Sequence, residues 1–389
     1  LNKFGQLGNG TTVNSKYAKE MLDTFGTDPI TDIVDISASN GNSILVDKYG
    51  NVYSCGYNVY GQLGDYTNTN RLLPVQTKEM QNVVQVSAGR WHALMLRGDG
   101  TVWGIGRNYY GELGINSTMT SSGSSDQGIR VAKQVMNENK DGVLKDITEI
   151  ACGGWHSVAL TTNKQVLTWG YGGNGQLGNK ASSNISYPRF VLDNTDGLNG
   201  IGNIRKIGTS ERITFLITDD NEVLATGENS DYQLSQNNNT DLLVVNKLYD
   251  YNGENYINGI INVPHSIENT YNTALIKNDG TVYVSGSGQY GQIGNGYYNN
   301  AKLYTRMGNA KLVLDENEIL LQEGKGKQLN ASIKSGFNVY ENESDNTDNI
   351  TYTSTTPSVA SISAEGYITA LKQGTSRIVV EDKVNEWKT

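Results

Sequence analysis

Proline and cysteine are scarce in this chain, and long hydrophobic runs are absent. Five prolines stand against 45 glycines in 389 residues, a balance typical of a turn-rich all-β protein rather than of disorder. No apolar stretch approaches the roughly 20 residues that a membrane-spanning helix needs, so we expect no direct membrane insertion. The net charge of −9 at pH 7 argues against nucleic acid as a partner, because phosphate binding requires a basic surface.

A Gly-Gln-Leu-Gly tetrapeptide, or a variant of it, recurs along the chain at a fixed distance from the residues before it. The tetrapeptides begin at Gly5, Gly61, Gly111, Gly175, Tyr232 and Gly291. We take the residue nineteen positions before each of the last five as position zero of a repeat. These residues are Asn42, His92, His156, Ile213 and Asn272. One rigid spacing in five segments indicates a repeat protein.

Each repeat predicts a β-hairpin. Position zero opens a short apolar run such as Ala93–Leu96, which is typical of a strand buried on both faces. A turn follows, and a valine begins the return strand in all five copies. A glycine ends that strand in every copy, which predicts either a positive φ or backbone packed too closely for a Cβ. These glycines are Gly56, Gly106, Gly170, Gly227 and Gly286.

The connections between hairpins vary in length, as expected of surface loops. Most contain a further aliphatic stretch, such as Leu72–Val75, which predicts a fourth, outer strand. Four strands in a unit of this size fit one blade of a β-propeller. The copy around Ile213 and Tyr232 departs from the pattern, and we expect its blade to be less regular.

Several of these segments resemble a known family. Ser87–Leu96, Asp99–Trp103 and Gly106–Gly114 look like the repeat of the regulator of chromosome condensation, and Ala151–Gly178 matches it about as well. The resemblance covers residues 1–308. It implies a β-propeller, commonly of seven blades, that serves as a platform for binding proteins.

The glycine-rich pattern stops around residue 309. Tyr352–Ser354, Pro357–Ser363 and Gly366–Thr375 resemble the bacterial immunoglobulin-like domain of group 2, which implies a spacer or stalk module of a surface protein. The pattern by itself predicts only a small β-sandwich. We therefore expect a sandwich domain over residues 309–389.

Both ends of the chain predict an internal fragment of a longer protein. The chain begins with Leu1, Phe4–Gly8 is the end of a repeat without its hairpin, and Ile378–Val380 should be followed by one more strand. The predicted fold is therefore all-β: a β-propeller of about five full blades plus a partial one, from a seven-bladed ring, then an immunoglobulin-like sandwich truncated before its last strand.

Two glycine patterns match the dinucleotide-binding fingerprint, but the repeat explains them. They are Gly170–Gly175 and Gly286–Gly291, and each follows a predicted strand. The middle glycine alternates with asparagine in other copies, which indicates a turn that needs left-handed backbone. No helix follows to hold a phosphate, so we expect no nucleotide cofactor.

The histidines, cysteines and acidic residues favour structural roles over catalysis or metal binding. His92 and His156 share a position with asparagine, which predicts a hydrogen-bonding role, and equivalent atoms of adjacent blades lie too far apart for one metal ion. We expect His265 on the surface and residues 341–348 in a solvated loop rather than a cation site. Cys55 and Cys152 occupy unlike repeat positions, so buried free thiols are favoured over a disulfide.

Two rows of mainly aromatic residues form the candidate partner-binding face. The first row precedes position zero and the second precedes the tetrapeptide. They consist of Trp91, Trp155, Arg212 and Tyr271, and of Tyr60, Tyr110 and Tyr290. Symmetry gathers each row at a rim of the propeller, and these residue types dominate interface energetics. The alternative is that the rings pack against neighbouring blades.

These observations predict a non-catalytic binding module of a secreted or surface-anchored bacterial protein, with a propeller platform on an immunoglobulin-like stalk. A protein ligand is favoured, and a glycan remains possible. One alternative is an accessory targeting module of a larger extracellular hydrolase. Another is an intracellular regulator like the eukaryotic exchange factors, which the acidic charge and the bacterial-type tail disfavour. The sequence gives no oligomeric state.

Overall fold

The computed structural model is all-β in the part of the chain that it describes. The described residues are 1–119, 128–192, 200–250, 253, 255–264, 271–294, 298, 300–307, 310–316, 318–335, 350–382 and 387–388. The chain divides into two compact units, residues 1–293 with 298–305, and residues 294–297 with 306–389. His265 and residues 341–348 lie outside the described residues.

Five antiparallel four-stranded sheets build the first unit. The strands are β1 (Ile33–Ala38), β2 (Asn42–Asp47), β3 (Val52–Gly56) and β4 (Arg71–Gln76); β5 (Val83–Ala88), β6 (His92–Arg97), β7 (Val102–Arg107) and β8 (Gly128–Gln134); β9 (Ile147–Cys152), β10 (His156–Thr161), β11 (Val166–Gly170) and β12 (Ile185–Phe190); β13 (Ile204–Thr209), β14 (Ile213–Thr218), β15 (Val223–Gly227) and β16 (Leu242–Lys247); β17 (Ile260–Asn262), β18 (Asn272–Lys277), β19 (Val282–Gly286) and β20 (Ala301–Arg306). Within each sheet the strands pair in chain order. Each sheet is one predicted repeat, so the prediction of an all-β propeller with five full blades is confirmed.

The first strands of consecutive blades lie side by side, β1 against β5, β5 against β9 and β9 against β13. Polar side chains link each pair. Asp35 Oδ2 accepts a hydrogen bond from the Val86 backbone N–H (2.8 Å), and Gln85 Oε1 accepts one from Ile150 (2.9 Å). These bonds satisfy backbone donors that a strand edge would otherwise leave unpaired.

The second strand of each inner blade is buried on both faces, as predicted. Ala93 and Met95 of β6 pack in the core shared with the first blade, whereas Leu94 and Leu96 pack in the core shared with the third. The same alternation holds in β10 and β14. In β18, by contrast, Ile276 is exposed.

The glycine that ends the return strand meets both predicted conditions. Gly106 has a φ of 99°, and a Cβ added to it would lie 2.5 Å from the Trp91 carbonyl oxygen. The four equivalent glycines have positive φ and the same close approach to a carbonyl. The strand-ending glycine therefore allows the residue before position zero to lie against it.

The fourth blade is as regular as the others, so the expectation of a less regular blade is wrong. Strands β13 and β14 pair in the register of β5 and β6, with the shift at the same place. Ile213 replaces the polar residue at position zero, yet it is buried and joins the core between the fourth and fifth blades. Packing thus substitutes there for a polar contact.

The prediction that the middle residue of the glycine pattern needs left-handed backbone is also wrong. Neither Asn108 nor Gly172 lies in the left-handed region. The Asn108 Oδ1 accepts a hydrogen bond from the Leu113 N–H (2.9 Å), and its Nδ2 donates to the Ser117 carbonyl (2.8 Å). At Gly172 a Cβ would lie 2.2 Å from the Ser183 carbonyl oxygen. Asparagine organises the loop in one copy, and the loop backbone excludes a side chain in the other.

The second unit contains three small antiparallel sheets around its own core. They are β21 (Ala310–Leu314) with β23 (Ala331–Ser335); β22 (Gly326–Gln328), β26 (Tyr367–Ala370) and β25 (Ala360–Ile362); and β24 (Ile350–Ser354), β27 (Ile378–Asp382) and β28 (Trp387–Lys388). Leu329, Ile350, Ile368 and Val380 form the buried centre. The group 2 immunoglobulin-like assignment and the boundary after residue 308 stay predictions.

Candidate partner-binding face

Five members of the two predicted rows lie together in the first unit. Ring centroids are 5.5 Å apart for Tyr60 and Trp91, and 6.4 Å apart for Trp91 and Trp155. Tyr110 joins this series through Tyr171, whose centroid is 4.8 Å from that of Tyr110 and 6.0 Å from that of Trp155. The contacts cross from the first blade to the third.

Three arginines complete the cluster. Arg90 places its guanidinium carbon 5.2 Å from the centroids of both Trp91 and Trp155. Arg107 lies 4.9 Å from Trp91, and Arg212 lies 5.0 Å from Trp155. Stacking of this kind holds a cation on the ring face. We call this cluster the aromatic face: Tyr60, Arg90, Trp91, Arg107, Tyr110, Trp155, Tyr171 and Arg212.

A repeated backbone hydrogen bond positions these side chains. The N–H that follows the strand-ending glycine donates to the carbonyl of the residue before position zero, as Arg107 does to Trp91 and Tyr171 to Trp155, both at 2.9 Å. The fourth blade repeats the bond from Glu228 to Arg212 at 3.0 Å. Because the glycine has no Cβ, the two chains approach closely enough for this bond. The repeat thereby presents two side chains per blade at one edge.

The repeat position that follows this glycine was not predicted to contribute to the face. Its members are Tyr57, Arg107, Tyr171, Glu228 and Ser287. The signal was available, since an invariant glycine marks a fixed place and large or charged side chains follow it in four copies. Arg90 was also missed, because its role depends on the distance between two blades, which the sequence does not give.

Each arginine of the aromatic face is paired with a carboxylate. Arg90 Nη1 lies 2.7 Å from Glu211 Oε1, Arg107 Nη1 lies 3.3 Å from Glu112 Oε1, and Arg212 Nη1 lies 3.2 Å from Glu228 Oε1. Pairing and stacking together fix the orientation of each guanidinium. Each arginine of the aromatic face thus has a carboxyl group beside it.

Burial changes the acidity of two of these carboxyls. It raises the pKa of Glu112 to about 7, against the opposing effect of the Arg107 charge. It also raises the pKa of Glu228, and here the Arg212 charge opposes it. Desolvation disfavours the ionised form of a carboxyl.

The rings are neither wholly buried nor fully free. Trp91 and Trp155 are half-buried, and each packs across a blade boundary. The Trp155 Nε1 and Arg212 Nε atoms are buried with no hydrogen-bond partner among the described residues. The packing alternative therefore describes part of each ring, and the role of the exposed part in binding stays a prediction.

Tyr271 and Tyr290 of the fifth blade do not join the aromatic face. They are 54% and 87% exposed. Within the described residues, no ring contact links either tyrosine to the cluster. The structure therefore brings together five of the seven predicted residues.

His92 and His156 are buried, and each directly follows a tryptophan of the aromatic face. Ser157 Oγ donates to the Glu112 carbonyl (2.8 Å), so it accepts from His92 Nε2, 3.1 Å away. His156 and Thr214 repeat the arrangement at 3.1 Å. Burial lowers the pKa of both histidines to about 3, so they are neutral at physiological pH. This is a structural role.

In the part of the chain that the structure describes, neither metal binding nor thiol chemistry at Cys55 and Cys152 is indicated. Among the described residues, no group of three or more His, Cys, Asp or Glu side chains could hold a metal ion. Cys55 and Cys152 are free and buried, and burial raises the pKa of each thiol to about 12. A thiol that stays protonated is a poor nucleophile. The described part of the chain also contains no helix with the length and hydrophobicity needed to cross a membrane.

Comparison with known proteins identifies the propeller. The chain is 40% identical over 88 residues to the mitochondrial RCC1 domain-containing protein RUG3 of Arabidopsis thaliana, covering 23% of this chain and 19% of the relative. It spans about a third or less of the length of the curated relatives it matches.

Solved structures agree on the fold. Human WBSCR16 superposes with a TM-score of 0.57 at 23% identity, covering 70% of this chain and 66% of that one. Prp20p of Saccharomyces cerevisiae does so with a TM-score of 0.50 at 17% identity, covering 79% and 84%. The family model of the RCC1-like domain matches residues 1–362. The chain therefore belongs to the RCC1-like domain family, whose propellers are protein-interaction and regulatory modules.

Proposed function

We propose that this chain is a non-catalytic protein-binding module that contacts its partner through the aromatic face. The observation that carries the proposal is the series Tyr60, Trp91 and Trp155, half-buried and joined by the stacked Arg90. Tryptophan, tyrosine and arginine are the residues that contribute most to binding energy in protein interfaces. Rigid rings also lose little conformational entropy on binding.

The comparisons support a protein as the ligand. The structure of Prp20p is described together with its binding to Gsp1p and histones, and that protein shares this fold. The net charge of −9 and the paired arginines of the aromatic face are unsuited to a phosphate backbone. A protein surface with its own aromatic and acidic groups matches this face better.

The proposal includes a setting in a secreted or cell-surface bacterial protein. Its support is the resemblance of residues 352–375 to the group 2 immunoglobulin-like domain. The separate core of the second unit, with Ile350 and Val380 at its centre, is consistent with a spacer that carries the propeller. In this setting the first unit binds the partner and the second unit serves as a spacer.

The experiment compares the wild-type chain with the double variant Trp91→Ala/Trp155→Ala and with Trp103→Ala. Trp103 lies in the second blade but packs on Arg97, outside the aromatic face, so it controls for loss of a tryptophan. Proteins retained from the native culture by each immobilised chain are quantified, and the affinity of the principal one is measured. We expect the double variant to lose at least about 30-fold in affinity, as for a hot-spot residue worth about 2 kcal/mol.

Circular dichroism and thermal unfolding establish that the double variant is folded. A folded double variant that retains the wild-type partner at full affinity contradicts the proposal. A glycan-array signal that only the double variant loses would assign the aromatic face to a sugar instead of a protein.

A further inference from the structure

Glu112 is the exception at the second position of the tetrapeptide. The other copies have glutamine: Gln6, Gln62, Gln176, Gln233 and Gln292. In every copy the side-chain oxygen accepts the backbone N–H of the residue two places earlier, for example Tyr60 to Gln62 at 3.0 Å and Tyr110 to Glu112 at 2.7 Å. The fold therefore requires one acceptor oxygen at this buried position and does not require a charge.

Arg107 is the one basic residue at a second, variable repeat position, where the fourth and fifth blades have Glu228 and Ser287. Tyr57 and Tyr171 occupy the same place in the neighbouring blades. Arg107 and Glu112 contact each other, at 3.3 Å between Nη1 and Oε1. That distance exceeds the roughly 2.7–2.9 Å of a strong charge-assisted bond. Arg107 and Glu112 thus form one loose ion pair, in the second blade, at the aromatic face.

The Arg107 guanidinium has support besides Glu112. It lies 4.9 Å from the centroids of Trp91 and Tyr110, and 5.1 Å from that of Tyr109, which is 45% exposed. Stacking keeps the cation in place when its carboxylate partner is neutral. The Arg107 side chain is 12% exposed, so part of it reaches solvent.

Among the described residues packed around Glu112, only the carboxyl of Glu112 itself changes charge between about pH 5 and pH 8. The charged or titratable side chains on the elements packed around it are Arg107 on β7, His92 on β6, His156 on β10, and Tyr110 and Tyr171 in the loops after β7 and β11. Both histidines are neutral, with pKa values near 3. Glu112 itself has a pKa of about 7, so mild acid neutralises it.

We propose that Arg107 is a carboxylate-binding subsite of the aromatic face, which an acidic residue of a protein partner occupies in place of Glu112. The inference rests on the proposed function, because it names the chemistry of the partner that this face takes. When the partner binds, Glu112 takes up one proton from solvent and still accepts the Tyr110 N–H, as glutamine does in the other copies. The partner carboxylate then pairs with the stacked guanidinium.

The test uses two peptide probes on the full chain. One is an octapeptide of alternating glycine and glutamate, and the other has glutamine in place of each glutamate. Binding is measured by calorimetry at about pH 6 and pH 8. We expect the glutamate peptide to bind about tenfold tighter at the lower pH, a change in affinity that corresponds to one pKa unit. At the lower pH, the glutamine peptide should bind at least about tenfold more weakly than the glutamate peptide.

Three variants make the outcome specific. Glu112→Gln, which adopts the residue of the other copies, should bind the glutamate peptide equally well at both pH values, at the affinity of wild type at the lower pH. Arg107→Gln should lose the preference for glutamate. Glu222→Gln makes the same charge change at an acid that pairs with Lys247 in the fourth blade, and it should keep the wild-type pH dependence.

Equal binding of the two peptides, no binding at either pH, or a Glu112→Gln chain with wild-type pH dependence overturns the subsite. Should Glu112→Gln fail to fold, the comparison of wild type with Arg107→Gln at the two pH values decides the matter. The tryptophan variants keep the two proposals apart. If they lose the natural partner while the peptide test fails, only the subsite is wrong.

Discussion

Single residues in the core couple the stability of this chain to pH in opposite directions. His156 has a folded-state pKa of about 3, lowered by burial, against an unfolded value of about 6.5. Below pH 6.5 the unfolded chain binds a proton that the folded chain does not. The free energy of unfolding therefore decreases as the pH falls, by up to about 1.4 kcal/mol per pH unit. The stability that this neutral histidine contributes is therefore complete above pH 6.5.

His156→Asn introduces the residue found at this position in the first and fifth blades. We expect it to be less stable than wild type by about 1–2 kcal/mol at pH 7.5, because the hydrogen bond to Thr214 and some packing are lost. The deficit should shrink as the pH falls towards 4.5, since the variant lacks the titration. Urea unfolding at four pH values measures it, and a deficit independent of pH would contradict this account.

Glu112→Gln should show the opposite sign. The folded-state pKa of Glu112 is about 7, above its unfolded value, so wild type loses stability as the pH rises from about 4.5 through 7. We expect the variant to exceed wild type by about 1–3 kcal/mol in unfolding free energy at pH 8, and to match it at pH 5. Gln176→Glu is the matched reverse change and should lose stability above pH 7. A Glu112→Gln chain less stable than wild type at pH 8 would show that the ion pair outweighs burial.

The residue scale also shows how far sequence could lead. Asparagine at the position of His92 and His156 was enough to predict a hydrogen-bonding role. The pairing of Arg107 with Glu112 was not predicted, although Glu112 breaks a repeat pattern. Side chains five places apart meet here only because the loop folds back onto β7, and stacking of Arg90 between two blades depends on an interblade distance that no spacing in the sequence encodes.

At the scale of the hairpin, the strand-ending glycine combines two constraints that substitution can separate. Gly106 has a φ of 99°, which strains any residue with a Cβ. A Cβ there would also lie only 2.5 Å from the Trp91 carbonyl oxygen. Gly280 has a φ of 82° with nothing within 4 Å of its Cβ position, and Gly202 has neither constraint. The three sites form a graded series.

We expect alanine to cost little at Gly202, about 1 kcal/mol at Gly280, and at least about 3 kcal/mol at Gly106. Chemical unfolding of the three variants measures these costs. Near-ultraviolet circular dichroism should also change for Gly106→Ala alone, because the Trp91 carbonyl must move. If alanine costs no more at Gly106 than at Gly280, the close approach to the carbonyl is not what selects glycine.

Repeat spacing predicted the hairpins because each strand depends on local periodicity and turn chemistry. The spacing gave wrong predictions where one kind of contact takes the place of another. Ile213 looked irregular as a sequence but fills a buried site, and the asparagine of Asn108 fixes a loop through Ser117, nine residues away. Such substitutions preserve the fold while removing the pattern that would reveal it.

At the scale of the whole molecule, equivalent residues differ according to which blade carries them. The residue six places before position zero is aliphatic in the first four copies. Ile150 and Ile207 are 1% and 0% exposed between two blades, whereas Ile36 on the first strand of the first blade is 68% exposed. The repeat therefore encodes an interface between blades, and the first blade presents its half of that interface to solvent.

This difference predicts unequal costs for one substitution at equivalent sites. Ile150→Ala removes buried volume from a packed core and should cost about 2–5 kcal/mol in unfolding free energy, whereas Ile36→Ala should change it by less than about 0.5 kcal/mol. Both are measured by urea unfolding of the first unit within the full chain. A large cost at Ile36 would mean that another surface covers β1 in solution. Sedimentation at several concentrations would then identify a second copy of the chain, because the cost at Ile36 would rise with association.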